Sequence, residues 1–101
     1  MLIQNQIDQR LKDHLNIYDM TLENESHMHN VPVGSESHFK LVLVSDDFQG
    51  KRLVQRHQLI YGALKEEMTQ IHALAMHLYT IKEWQDRQSL APISPKCHGG
   101  E

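Results

Sequence analysis

Apolar residues Leu2, Ile3, Ile7, Leu11 and Leu15 recur at spacings near four, with Gln, Asn, Asp and Lys between them. That stripe predicts an amphipathic helix over Leu2–His14. Residues 17–24 change period: Tyr18, Met20 and Leu22 alternate with Asp19, Thr21 and Glu23, the pattern of a half-buried strand. Residues 25–37 are polar and contain Pro32 and Gly34, which predicts a loop too long for a tight hairpin turn. From His38 through Ser45 the chain is nearly all apolar apart from Lys40, as expected of a central strand covered on at least one face. After a turn at residues 46–50, Leu53, His57, Ile60, Tyr61, Leu64 and Met68 repeat at three and four and predict a helix over 52–68 packed on the sheet. Residues 71–79 read as a third strand, with His72, Leu74, Met76 and Leu78 opposite Ala73, Ala75 and His77. The small residues of that strand predict a face closely approached by helices. Thr80-Ile81-Lys82-Glu83 has a hydroxyl at the N-cap and a carboxylate three residues later, a capping box that starts a short helix running to about residue 88.

The order is therefore helix, strand, strand, helix, strand, helix. The first two strands are joined by a loop and are expected to be antiparallel. A helix joins the second and third, which allows a right-handed parallel crossover. The expected class is α+β, a three-stranded mixed sheet with helices packed on one face. A single domain over residues 1–88 and a disordered tail over 89–101 are expected.

At 101 residues, 40% of them hydrophobic and 23% charged, the chain suits one modest core. No apolar run approaches the roughly 20 residues that span a bilayer, and residues 1–6 lack the pattern of a secretory signal. A cytoplasmic protein with no membrane partner is expected. Cys97, the only cysteine, sits near Pro92, Pro95, Gly99 and Gly100, so one chain can form neither a disulfide framework nor a four-cysteine site. A net charge of -3 argues against coating nucleic acid with the whole surface. Between residues 49 and 65, however, Lys51, Arg52, Arg56 and Lys65 occur with no acidic residue and are candidates for phosphate contacts. No His-Glu-x-x-His, nucleophile elbow or phosphate-binding glycine loop is present, so no enzyme is expected.

Candidate chemistry lies in the histidines. Neutral imidazole is the commonest protein metal ligand. His27 and His29 fall in the loop before the central strand, His38 opens that strand and His72 opens the third. The pattern places them near one end of the sheet. His57 lies on the apolar stripe of helix two, where a structural role is the simpler account, and packing accounts for His77. His14, His27 and His98 are expected at the surface.

Three segments share a known pattern: His29-Asn30-Val31-Pro32-Val33-Gly34 running on to His38-Phe39-Lys40; Phe48-Gln49-Gly50-Lys51 with Arg56-His57; and Ile71-His72-Ala73-Leu74-Ala75-Met76-His77 followed by Thr80-Ile81-Lys82-Glu83-Trp84. Together they resemble the BolA family over about residues 2–84, and loosely in the Pro95-Lys96-Cys97 tail. The resemblance implies a fold similar to class II KH domains, with the same element order. It implies a monothiol glutaredoxin partner sharing a two-iron, two-sulfide cluster with glutathione, in iron-sulfur trafficking or in iron or redox sensing. It also implies a stress-responsive transcriptional regulator that binds promoter DNA and affects cell morphology and envelope genes. The isolated protein is expected to be a monomer or weak dimer, and metal-free unless paired. The family's histidine ligand falls on His72. The second ligand falls in the loop before the central strand, where His29 and His38 are both candidates, with a slight preference for His29. Phe48-Gln49-Gly50-Lys51 lacks the Gly-x-x-Gly loop of KH domains that grip single strands.

Overall fold

The computed structural model describes residues 2–28, 32 and 34–91. The elements are α1 (Leu2–His14), β1 (Asp19–Asn24), β2 (His38–Val44), α2 (Leu53–Ala63), β3 (Ala73–Tyr79) and α3 (Ile81–Asp86), with single 3-10 turns at Ser26–Met28, Asp46–Phe48 and Glu67–Thr69. The sheet order is β1-β2-β3. β1 pairs antiparallel with β2, Thr21 opposite Val42, and β2 pairs parallel with β3, Val42 opposite His77. The predicted class, element order and strand directions are those of the structure. Among the described residues, no helix is long and apolar enough to cross a membrane.

One face of the sheet carries the main core. Phe39, Leu41 and Leu43 of β2 and Leu74 and Leu78 of β3 meet Ile7 and Leu11 of α1 and Ile60 of α2, with Leu15, Phe48 and Leu64 completing the cluster. Burying each such side chain contributes about 1.5–3 kcal/mol. A smaller cluster lies on the other face. There, Val42, Val44 and Trp84 pack with Tyr79, Ile81 and Ala91, so the two long helices cover one face while α3 covers one end of the other.

Three expectations need correction. The face of β3 bearing Ala73 and Ala75 is exposed, not approached by helices. Its opposite face carries the larger Leu74, Met76 and Leu78 and takes the packing of α1 and α2, while α3 reaches only the Tyr79 end, which leaves the alanines facing solvent. Second, α2 ends at Ala63 rather than continuing to Met68. The chain passes through a turn into the 3-10 segment, yet the Met68 amide still bonds the Leu64 carbonyl at 2.9 Å, so the apolar spacing outlasts the helix. Third, the inward side of α2 is Arg56, Ile60 and Leu64, whereas Leu53 and Tyr61, assigned to the apolar stripe, are 67% and 45% exposed.

Arg56 takes that inward place through its partners. Only 7% exposed, it spans the Glu83 carboxylate with Nη1 at 2.6 Å from Oε1 and Nη2 at 3.1 Å from Oε2. Nη1 also donates to the Leu78 carbonyl, Nε donates to the Lys51 carbonyl, and the guanidinium lies over the Phe48 ring. Glu83 serves two elements. In the capping box predicted from sequence, its Oε1 accepts from the Thr80 amide at 2.8 Å and its own amide donates to the Thr80 hydroxyl. The short α3 ends where Gln88 and Ser89 take positive φ values, two residues beyond Asp86.

Hydrogen bonding to Arg56, more than any other influence, holds the Glu83 carboxyl below its ordinary value of 4.5. The pair's stabilisation is therefore fully present above pH 4.5 and is lost as pH falls through the lower folded value. Glu83→Gln keeps the cap's shape but leaves a buried guanidinium without its counter-charge. It is expected to cost about 1–2 kcal/mol in urea unfolding at pH 7, discounted because the carboxylate is half exposed, and to flatten the loss of stability below pH 4.5.

Candidate metal centre

Parallel pairing puts the starts of β2 and β3 at the same end of the sheet. His38 begins β2 opposite Ala73, and His72 immediately precedes β3. The His72 amide donates to the Ser37 carbonyl at 2.8 Å, as does the Ala73 amide at 3.1 Å. Both histidines are thereby tied to the same short stretch of backbone. Their ring centroids lie 5.0 Å apart with the planes inclined at 44°. The Ser37 hydroxyl is 2.8 Å from His38 Nδ1. His38 is half-buried and His72 is exposed.

A polar network fixes the loop that leads into His38. Ser26 is buried, and its hydroxyl oxygen accepts from the amides of Ser37 at 2.9 Å and His38 at 3.1 Å. Asn24 Oδ1 accepts from the Ser26 amide, and Asn24 Nδ2 donates to the Ser35 carbonyl. The Glu25 amide donates to the His38 carbonyl at 2.8 Å. One residue before Ser37, Glu36 turns to α1 and accepts from the amides of Ile3 and Gln4 in the helix's first turn, where a carboxylate complements the helix dipole. Sequence reading gave no special role to Asn24 at the end of the first strand or to Ser26 and Glu36 in the loop. Apart from the bond between Asn24 and Ser26, their partners lie 11 to 33 positions away, so local pattern carries little sign of them.

Of the predicted metal ligands, the structure brings His38 and His72 together, while His29 lies outside the described residues. His27 is exposed in the 3-10 turn after β1, and His14 is exposed with its Nδ1 2.8 Å from the Arg10 carbonyl. His77 sits five residues along β3 from His72, about 16 Å away in a strand, and takes no part in the pair. Burial, then Lys40 and Arg87, lowers its pKa from 6.5, against the opposing effect of Glu25. Cys97 and His98 lie outside the described residues. Among the described residues, no group of three His, Cys, Asp or Glu side chains could hold a metal ion. Two imidazoles at one sheet end therefore need ligands from elsewhere.

The basic candidates separate. Arg56 is a correction: buried and bound to Glu83, it is withdrawn from any phosphate by the same contacts that fix α3. Lys51, Arg52 and Lys65 are exposed and have no ion-pair partner among the described residues. Lys51 and Arg52 precede α2, whereas Lys65 follows it, across about 16 Å of helix.

Comparison with protein families matches residues 11–83 to "BolA-like protein". The DNA-binding transcriptional regulator BolA of Escherichia coli (strain K12) is 49% identical over 100 residues, covering 98% of this chain and 95% of its own. The solution structure of BolA1 protein from Mus musculus superposes with a TM-score of 0.83 at 38% identity, covering 98% of this chain and 80% of that one. The BolA domain of SufE1 from Arabidopsis thaliana gives 0.76 at 37% identity, covering 82% and 96%.

Ser26→Ala leaves the half-buried amides of Ser37 and His38 without their acceptor. The expected result is a loss of about 1–3 kcal/mol of stability, together with loss of the nuclear Overhauser contact between the His38 and His72 rings. Retention of that contact would show that Ser26 does not position His38.

Proposed function

The chain belongs to the BolA-like family, and from that premise we propose that it contributes two imidazoles, His38 and His72, to a two-iron, two-sulfide cluster shared with a monothiol glutaredoxin. The observation that carries this reading is the 5.0 Å separation of the two rings at one end of the sheet. Iron-sulfur clusters usually take four thiolates, and two histidines can replace two of them on one iron, which raises the reduction potential. The described part of this chain supplies imidazole and no thiol. A glutaredoxin cysteine and glutathione would supply the thiolates on the other iron.

The donor set suits that group. The Ser37 hydroxyl beside Nδ1 fixes the orientation of the His38 ring, the role that outer hydrogen bonds play around metal-bound histidines, and ligation by His38 falls to Nε2. His72 presents its ring to solvent, accessible to a docking protein. When bound, the cluster supplies an electron-accepting centre that can also be handed on. Both imidazoles must be neutral to ligate, so binding the cluster releases any proton they carry, and the site weakens on acidification. These properties suit iron-sulfur trafficking or sensing. Named as regulators or BolA-like proteins, the relatives provide no support for an enzyme.

Reconstitution of the full chain with a monothiol glutaredoxin, iron, sulfide and glutathione, followed by visible circular dichroism, tests the proposal. The expected outcome is a spectrum distinct from that of glutaredoxin alone. His72→Ala and His38→Ala should each weaken the mixed complex by at least roughly tenfold, and His29→Ala should leave it unchanged. A spectrum indifferent to His72→Ala would overturn the ligand assignment. Sensitivity to His29→Ala instead of His38→Ala would move the second ligand into the loop.

A second reading has its own support: the bacterial relative named above is a DNA-binding transcriptional regulator, and Lys51, Arg52 and Lys65 are exposed cations here. In this reading they contact phosphates of promoter DNA, each adding to a salt-dependent affinity. Replacing Lys51 and Arg52 together by alanine should reduce the slope of log affinity against log salt by about 2, and Lys65→Ala by about 1. Fluorescence anisotropy with duplex DNA over a range of potassium chloride reads both slopes, and no binding at low salt would count decisively against this role.

A further inference from the structure

The sheet has two outer strands, and their sequences treat the open edges differently. β1 carries Asp19 and Glu23, both exposed, charges of the kind that discourage a second strand from pairing. β3, Ala-Leu-Ala-Met-His-Leu-Tyr, carries no acidic or basic residue beyond His77, which burial, Lys40 and Arg87 push toward its neutral form.

The direction of β3's backbone groups follows from two bonds to the β2 side. The Ala73 amide donates to Ser37 and the Tyr79 carbonyl accepts from Ser45. In a parallel strand the N–H and C=O of one residue point the same way and the direction alternates along the chain. Residues 73, 75, 77 and 79 thus face β2, and Leu74, Met76 and Leu78 turn their backbone groups outward. The Leu78 carbonyl is taken by Arg56 Nη1 at 3.1 Å. At the other end, the amide of His72 is taken by Ser37. What remains between those ends is a short window centred on the N–H and C=O groups of Leu74 and Met76, with the Leu78 N–H beside it.

We propose that this window is a self-pairing edge, and that two copies of the chain join antiparallel through β3 into one continuous six-stranded sheet. The window is its own complement. With the two-fold axis at Ala75, Leu74 of each copy lies opposite Met76 of the other, and each such pair exchanges both of its backbone hydrogen bonds. Between them the two Ala75 residues form a non-hydrogen-bonded pair, the closest approach in an antiparallel ladder, where alanine sets neither bulk nor charge against its own copy. Ala73 faces His77 of the other copy, so no like charges oppose one another along the seam. Arg56 and Ser37 close the ladder beyond the window, which keeps the pairing short and reversible. A strand from an unrelated partner would gain the same backbone bonds, but β3 offers it no charged side chain for recognition. The self-complementary register therefore favours a second copy.

Sedimentation of the full chain from micromolar to millimolar concentration, with amide exchange read by nuclear magnetic resonance, tests this. The expected result is a concentration-dependent dimer in which the Leu74 and Met76 amides become protected. Ala75 is exposed, so Ala75→Lys and Ala75→Glu should preserve the fold, checked by an unchanged melting temperature. Each alone should raise the dimer dissociation constant by roughly tenfold, because like charges then meet at the axis. An equimolar mixture of A75K and A75E should restore dimerisation. A chain monomeric throughout, a dimer insensitive to both substitutions, or protection arising only after addition of single-stranded DNA or glutaredoxin would overturn the proposal.

Discussion

Parallel pairing of β2 with β3 is the constraint on which the rest of the molecule depends. Two strands running the same way put their first residues at the same end, so the histidine that opens one comes beside the histidine that precedes the other. The same choice requires a crossover, which here is α2 and its following 3-10 turn, and that crossover brings Ile60 and Leu64 onto the face already lined by Phe39, Leu41 and Leu43. An antiparallel β3 would keep a core of similar composition and place His72 at the opposite end of the sheet from His38.

The two ends of the sheet are secured by different chemistry. At the end bearing Val44 and Tyr79, a charged pair links the elements, since Arg56 joins α2 to β3 and α3 through Leu78 and Glu83. A half-exposed carboxylate offsets a buried guanidinium, and the same carboxylate caps the helix that follows. At the end bearing His38 and Ala73, neutral groups do the joining. The hydroxyl of Ser26, the carboxamide of Asn24 and the carbonyl of Ser37 hold the loop around the imidazoles.

The open sheet face shows how small residues are used. Ala73 and Ala75 next to Lys40 and His77 leave a surface with little apolar bulk, and only its Val42 and Val44 end is covered, by Trp84 and Tyr79. Arg87 extends that cover by lying over the Tyr79 ring at 5.2 Å. α3 is short, yet through Trp84 and Glu83 it touches both faces of the fold's logic: apolar cover on one side of the sheet and charge neutralisation for α2.

Hydrophobic period by itself determined the number, kind and order of the elements and the boundaries of α1, because a buried stripe repeats with the geometry of the backbone that carries it, and the connections between the elements gave the strand directions. The motif around His72 was also legible, as was the capping box at Thr80, whose partners are three residues apart. Only tertiary structure decided that Arg56 faces inward, that the alanines of β3 face out, that α2 stops at Ala63, and that His38 rather than another described histidine meets His72. Each of those outcomes depends on a partner distant in sequence: Glu83 for Arg56, the competing bulk of Leu74 and Leu78 for the alanines, Ser26 and Ser37 for the histidines. A charged residue reads as surface until its counter-charge is located, and a loop serine reads as solvent-facing until the amides it accepts from are brought to it.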